Sequence, residues 1–352
     1  METTATCDQE VAAPQTTPGH RPPDRFSLRS LDTGRVLPTF AEDVRRGLTS
    51  EPKVLYPKYF YDELGSRLFE AITALPEYYV TRAEAEILAA HAGEIALSVG
   101  GPVRLVELGS GDGQKTRLLI EALLARQETL DYLPVDISES ALRASSRALL
   151  LSYPALRISA YRGEYREALR EIRSTEAPGV PPVRTLVLFL GSTLGNLDPA
   201  ERIALVKEVR GLLRPGDGFL LGVDLRKPES VLIPAYADAL GVTAAFNLNL
   251  LVRINRELRG EFDLGSFRHR ALYNRQEGRI EMHLESRRTQ TVAVRALGIE
   301  VPFFQGETIH TESSYKFSPE QIASLASETG LELRSTWKDP GGRFASNLLV
   351  RL

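Results

Sequence analysis

Glu107-Leu108-Gly109-Ser110-Gly111-Asp112-Gly113 lies between a short apolar run at 103–108 and an amphipathic helical pattern at 114–126, and its reading decides the fold. A glycine-rich turn that closes a strand and opens a helix is where an open parallel sheet receives a nucleotide-like ligand. Glycine permits the tight turn and lets the backbone approach a ligand with no Cβ in the way. A dinucleotide fingerprint, G-x-G-x-x-G, would need its third glycine at 114, where the chain has Gln114. The pattern present is E-x-G-x-G-x-G.

Working outward, strand patterns at 131–136, 156–161, 184–190 and 219–223 alternate with helical patterns at 139–152, 165–173 and 199–213. That alternation predicts an α/β fold with a doubly wound parallel sheet. The run Leu186-Val187-Leu188-Phe189-Leu190 is apolar throughout, as a strand buried on both faces requires. Upstream, apolar residues recur at helical spacing at 40–48 and 63–72. Thr81 with Glu84 three residues on reads as a capping box opening a longer helix. After Lys227-Pro228 the alternation stops. Helices are expected at 232–240 and 243–258, paired strands at 278–285 and 289–296, and a third strand at 307–317. A helix at 319–329 and strands at 333–337 and 345–352 then resume the earlier style. The expected division is a disordered tail at 1–25, an N-terminal helical part at 26–84, the sheet domain at 85–226, an insertion at 227–316 and the rest of the sheet domain at 317–352.

Composition narrows the function. The 352 residues carry 43 basic and 46 acidic side chains, a net charge of -3, with 43% hydrophobic and 25% charged residues. This is the balance of an ordinary globular protein, and it gives no bulk attraction to nucleic acid. A small-molecule partner is expected. Cys7 is the single cysteine, so no intrachain disulfide forms. The start, Met1-Glu2-Thr3-Thr4, lacks a secretory pattern, and no apolar run reaches membrane-spanning length, so a cytoplasmic protein is expected. His20, His91, His269, His283 and His310 show no paired-ligand spacing, and no metal is predicted.

The glycine pattern resembles the first motif of class I S-adenosylmethionine-dependent methyltransferases. Five longer segments narrow the resemblance: Tyr56-Pro57-Lys58-Tyr59-Phe60-Tyr61-Asp62, Leu75-Pro76-Glu77-Tyr78-Tyr79-Val80-Thr81-Arg82, Gly191-Ser192-Thr193-Leu194-Gly195-Asn196, Gly241-Val242-Thr243-Ala244-Ala245-Phe246-Asn247 and Thr311-Glu312-Ser313-Ser314-Tyr315-Lys316-Phe317. They are similar to the L-histidine Nα-methyltransferases of ergothioneine biosynthesis, from about Phe40 to the C-terminus. The resemblance implies a Rossmann-like class I methyltransferase domain and an α+β substrate-binding domain formed by the N-terminal helices and the insertion. It also implies trimethylation of the histidine α-amine to hercynine, with S-adenosylmethionine as methyl donor, by a monomer.

Carried over to this chain, the resemblance implies that Asn196 and Tyr236 bind the α-carboxylate and α-amino end, with Gly191 beside them. Tyr61 and Tyr78 line the pocket near the amine, and Tyr61 and Asn196 are the expected catalytic residues. Glu312 and Ser314 hydrogen-bond the imidazole and Met282 packs on it. On the cofactor side it implies Glu107, Gly109, Gly111, Gly113, Lys115, Asp136 and the pair Glu164-Tyr165, which more often reads Asp-Phe in the family.

Residue chemistry supports part of this independently. Glu312 and Ser314 stand two apart in an expected strand and so share a face. A carboxylate and a hydroxyl together match a ring with two polar nitrogens better than an indole or a phenol. Taken alone, Glu312 also reads as a solvated strand carboxylate and Asp136 as a helix cap beside Ser138. An Nα-methyltransferase for an indole amino acid and a noncatalytic S-adenosylmethionine-binding protein are the alternatives.

Overall fold

The computed structural model describes residues 25–31, 39–175 and 183–352. The expected tail at 1–25, with Cys7 and His20, lies outside them except for Arg25. In chain order the elements up to the first glycine loop are β1 (Phe26–Ser30), α1 (Phe40–Leu48), β2 (Lys53–Val54), α2 (Glu63–Ala74), α3 (Val80–Val99) and β3 (Val103–Leu108). The alternating core follows: α4 (Thr116–Leu124), β4 (Leu130–Asp136), α5 (Glu139–Ser152), β5 (Leu156–Arg162), α6 (Tyr165–Ser174), β6 (Arg184–Phe189), α7 (Pro199–Leu212) and β7 (Gly218–Asp224). Then come α8 (Glu229–Leu232), α9 (Val242–Leu258), β8 (Phe267–Asn274), β9 (Arg279–Ser286), β10 (Gln290–Val294), β11 (Ile299–Phe303) and β12 (Thr308–Tyr315). The chain ends with α10 (Pro319–Glu328), β13 (Glu332–Lys338) and β14 (Phe344–Val350).

Eight strands form the large sheet in the order β1-β5-β4-β3-β6-β7-β14-β13. It is parallel from β1 to β7 and antiparallel in the C-terminal hairpin. The reversal of strand order beside β3 puts the glycine loop at the switch point, outside the carboxyl ends of the strands. Successive residues of the central strands go to opposite layers. Val187 and Phe189 join one apolar cluster, and Leu186 and Leu188 the other. Both faces are therefore covered, which is why β6 has no polar alternation. Helix starts follow local chemistry where the partners are local: Asp198 and Glu201 form a capping box at the start of α7, with Pro199 at its first position.

A four-stranded sheet, β2-β12-β9-β8, packs against α2 and α9 around a third apolar cluster that holds Met282, Phe246, Tyr78 and Tyr236. The chain leaves the large sheet after Asp224 and returns at Phe317, which bridges to Leu225. Among the described residues no helix is long and apolar enough to cross a membrane.

Several expectations change. Residues 26–30, assigned to the N-terminal helical part, form an edge strand of the large sheet beside β5. The strands expected to pair, near 278–285 and 289–296, lie in different sheets: β9 pairs with β8 and β12, and β10 with β11. The capping box at Thr81 is absent, because α3 begins at Val80 with Tyr79 in the cap position and no side-chain cap bond.

Candidate active site

Backbone geometry builds the loop after β3. Gly109, Gly111 and Gly113 have φ of 71°, 51° and 68°, left-handed values that strain any residue with a Cβ. A Cβ on Gly109 would stand 2.9 Å from the Tyr165 hydroxyl, whereas one on Gly111 would meet nothing within 4 Å. The first glycine thus admits Tyr165 against the loop, and the second faces open space. Glu107 anchors the loop from inside the protein. The Thr116 hydroxyl lies 2.7 and 2.8 Å from its two oxygens, and the Tyr132 hydroxyl donates at 2.5 Å. Burial pushes the Glu107 carboxyl up to about 7, although both hydroxyls favour its charged form.

Asp136, at the end of β4, accepts from the Gly111 N–H at 3.1 Å and the Ser138 N–H at 2.9 Å. Desolvation raises its pKa, and the backbone donors oppose the rise. The cap of α5 is Ser138, so Asp136 is not needed as one. Tyr165 meets Phe189 edge-on at 5.4 Å between ring centroids, and Glu164 is exposed beside it. Lys115 is ion-paired with the buried Glu84.

The other expected residues gather next to this crevice. Tyr61 is 39% exposed, yet its hydroxyl is surrounded closely enough for burial to lift its pKa well above 10. Glu312, Tyr78, Tyr165 and Tyr236 add to that rise, so Tyr61 stands where the two groups of residues meet. Tyr78 and Tyr236 are buried with rings edge-on at 6.3 Å. The 3₁₀ turn Thr193–Asn196 comes close to β12 because a Cβ on Gly195 would fall 2.8 Å from the Tyr315 carbonyl oxygen. That approach brings the Asn196 amide to the Glu312 carboxylate. Burial raises Glu312 to about 7, with Lys316 and Asn196 favouring its ionised form.

Glu312 pairs across the strands with Met282, and Ser314 with Ile280, so these four share one face. A register shift between His310 and Glu312 puts His310 on the other side, with its ring 5.1 Å from that of His283. Simple alternation would have left His310 beside Glu312. The Gly191 N–H is engaged by Glu84, at 3.0 and 2.9 Å from its two oxygens. Gly191 therefore holds the site together through its N–H, and that donor is not free for substrate.

Further groups join the site that residue spacing does not announce. Glu84 is fully buried and ties α3 to Lys115 on one side and to Gly191 on the other. A Cβ on Gly222 would collide with it, so that glycine makes its room. Asp224, at the end of β7, is fully buried between Lys316 at 2.9 Å and Lys227 at 2.5 Å and accepts from the Tyr79 hydroxyl at 2.8 Å. Lys316 also donates to the Tyr236 hydroxyl and to Ser314 Oγ, each at 2.8 Å. Desolvation lowers Lys227 to about 8. Behind Tyr236, His269 bonds its carbonyl oxygen at 2.7 Å and is itself held by Asn247 at 2.8 Å.

A cavity of about 410 Å³ lies under α10 and shares no residue with this cluster. The site is located by its converging ionisable and hydroxyl groups instead. Among the described residues no group of three or more His, Cys, Asp or Glu is placed to hold a metal.

Comparison with known proteins identifies the family. The family model described as histidine-specific methyltransferase, SAM-dependent, matches residues 40–351. The histidine N-alpha-methyltransferase of Mycolicibacterium smegmatis is 47% identical over 88% of this chain and 94% of its own length. The Mycobacterium tuberculosis protein of the same name is 44% identical with the same coverage. Ergothioneine biosynthesis protein 1 of Neurospora crassa is 32% identical over 85% of this chain, which corresponds to 33% of that longer protein. On the family match and the two bacterial relatives, this chain belongs to the SAM-dependent histidine-specific methyltransferases.

Proposed function

We propose that this protein transfers three methyl groups to the α-amine of L-histidine, giving hercynine for ergothioneine biosynthesis. The observation that carries the reading is the Glu312 carboxylate and Ser314 hydroxyl on one face of β12, beside Asn196 and Tyr236, in a member of the histidine-specific family. A cytoplasmic monomer that needs no metal completes the reading. The small sheet with α1, α2 and α9 acts as the substrate-binding part.

The residues at the switch point fit S-adenosylmethionine. Gly111 leaves open space where a Cβ would stand, and Asp136 presents a carboxylate suited to a pair of ribose hydroxyls. Gly109, Gly113 and Lys115 complete the loop, Glu107 holds it, and Glu164-Tyr165 borders the adenine. When bound, S-adenosylmethionine supplies a methyl group already activated on a sulfonium.

Positioning supplies most of the rate, because little covalent chemistry is left to the protein. Asn196 and Tyr236 orient the amino-acid end, while Glu312 accepts from one ring N–H and Ser314 addresses the other nitrogen. Met282 packs on the ring. The amine must be neutral before each transfer, so its protons need a path. Tyr61 is held protonated and does not serve as the final base. It relays, accepting from the amine and donating onward to water. Tyr78 presents an aromatic wall that tolerates the growing cationic product.

Steady-state kinetics with histidine and tryptophan as competing acceptors tests the reading. Histidine is expected to be preferred by about 10⁴, the discrimination typical of a site built to hydrogen-bond its ligand. A preference for tryptophan would assign the chain to indole substrates.

A further inference from the structure

We propose that Lys316 is a positioning residue that sets ring specificity, by forcing the Tyr236–Ser314 pair to turn one hydroxyl hydrogen toward the substrate ring. The inference rests on the assignment of Ser314 to the imidazole subsite. An ammonium has three donors and no acceptor. All three of its hydrogens have partners here: the Tyr236 hydroxyl at 2.8 Å, Ser314 Oγ at 2.8 Å and Asp224 Oδ2 at 2.9 Å. The two hydroxyls are also 2.8 Å from each other.

The hydrogens then have few places to go. Two hydroxyls bring two hydrogens, one of which lies in the bond between them. The other finds no acceptor inside the triangle, because Lys316 can only donate. With the Tyr236 phenol, the more acidic of the two, donating in that bond, the free hydrogen sits on Ser314 Oγ, the hydroxyl assigned to the ring. Together with the Glu312 carboxylate the ring subsite therefore offers one donor and one acceptor. A neutral imidazole, with one N–H and one bare nitrogen, satisfies both, whereas an indole or phenol leaves one of them unmatched.

Asp224 keeps the device in place. The Lys316 side chain is fully buried, and Asp224 orients it from the end of β7, backed by Tyr79 and Lys227. A charge at this depth is stable only when it is paired.

The test compares histidine with β-(2-thienyl)alanine, whose ring has the right size but neither a nitrogen donor nor a nitrogen acceptor. In Lys316→Met the dissociation constant of histidine, measured with S-adenosylhomocysteine present, is expected to rise about tenfold to a hundredfold. The inhibition constant of thienylalanine should stay within about threefold, as should the affinity for S-adenosylhomocysteine. If Lys316→Met does not fold, Lys316→Gln, which keeps a polar side chain but offers the hydroxyl hydrogen an amide acceptor inside the triangle, permits the same comparison. Equal weakening of both ligands, or unchanged histidine binding, would overturn the proposal while leaving the histidine reading intact. Failure of the wild-type protein to methylate histidine would overturn that reading and this inference with it.

Discussion

The two halves of the site are built by different means. The cofactor half is largely backbone: three glycines at left-handed φ, two N–H groups on Asp136 and one buried carboxylate under the loop. The substrate half is side chains brought from distant segments: Tyr61 and Tyr78 from the N-terminal part, Asn196 after β6, Tyr236 before α9, and Glu312, Ser314 and Lys316 from β12 onward. A backbone cradle serves any ligand of one shape and is written in a few adjacent letters. A side-chain cluster reads one particular ring, and its parts make sense only after folding.

That contrast predicts where substitutions will act. The largest effect is expected from Glu312→Ala, which should lower kcat/KM for histidine by about 10³ or more and leave S-adenosylhomocysteine affinity unchanged. A comparable loss of cofactor affinity would show that the halves are not separable. Asp224→Ala leaves two buried lysines without their shared partner and should cost about 3–5 kcal/mol in urea unfolding. A loss below about 1 kcal/mol would remove the buried network from the account.

On the cofactor side, Asp136→Ala should weaken S-adenosylhomocysteine binding about tenfold to a hundredfold in calorimetry, with the histidine affinity of the cofactor-loaded protein little changed. Unaltered binding would mean that the carboxylate does not meet the ligand. The smallest effect concerns pH. Glu312 titrates near 7 because burial penalises its charge, and the ring subsite needs it ionised. The sign follows: from pH 8 to pH 6 kcat/KM should fall about tenfold further in the wild-type protein than in Glu312→Gln, the protonation of the amine being common to both. The same slope in the glutamine variant would assign the titration elsewhere.

How much was readable from the sequence follows the same division. The glycine loop, Asp136 and the alternating sheet were legible because each signal is local. β8 was missed because its outward residues are Arg268 and Arg270, paired with Glu285, which dilute the apolar pattern. β11 carries Pro302, which its two-stranded ladder tolerates. Glu84 was misread for a physical reason: three residues after a threonine it fits a cap, but its partner is an amide 107 positions away. His310 was moved to the other face by one bulge, which no residue spacing announces. Asp224 and Lys316 are ordinary letters at strand ends, and only topology brings them within 2.9 Å.

The central claim is that the two halves meet to methylate the α-amine of histidine. Mass spectrometry of histidine incubated with the protein and S-adenosylmethionine tests it most directly. The account predicts histidine carrying one, two and then three methyl groups, all on the α-nitrogen, ending in a betaine that accepts no more. Absence of methylated histidine at saturating concentrations of both substrates, or methylation on the ring nitrogens, would contradict it.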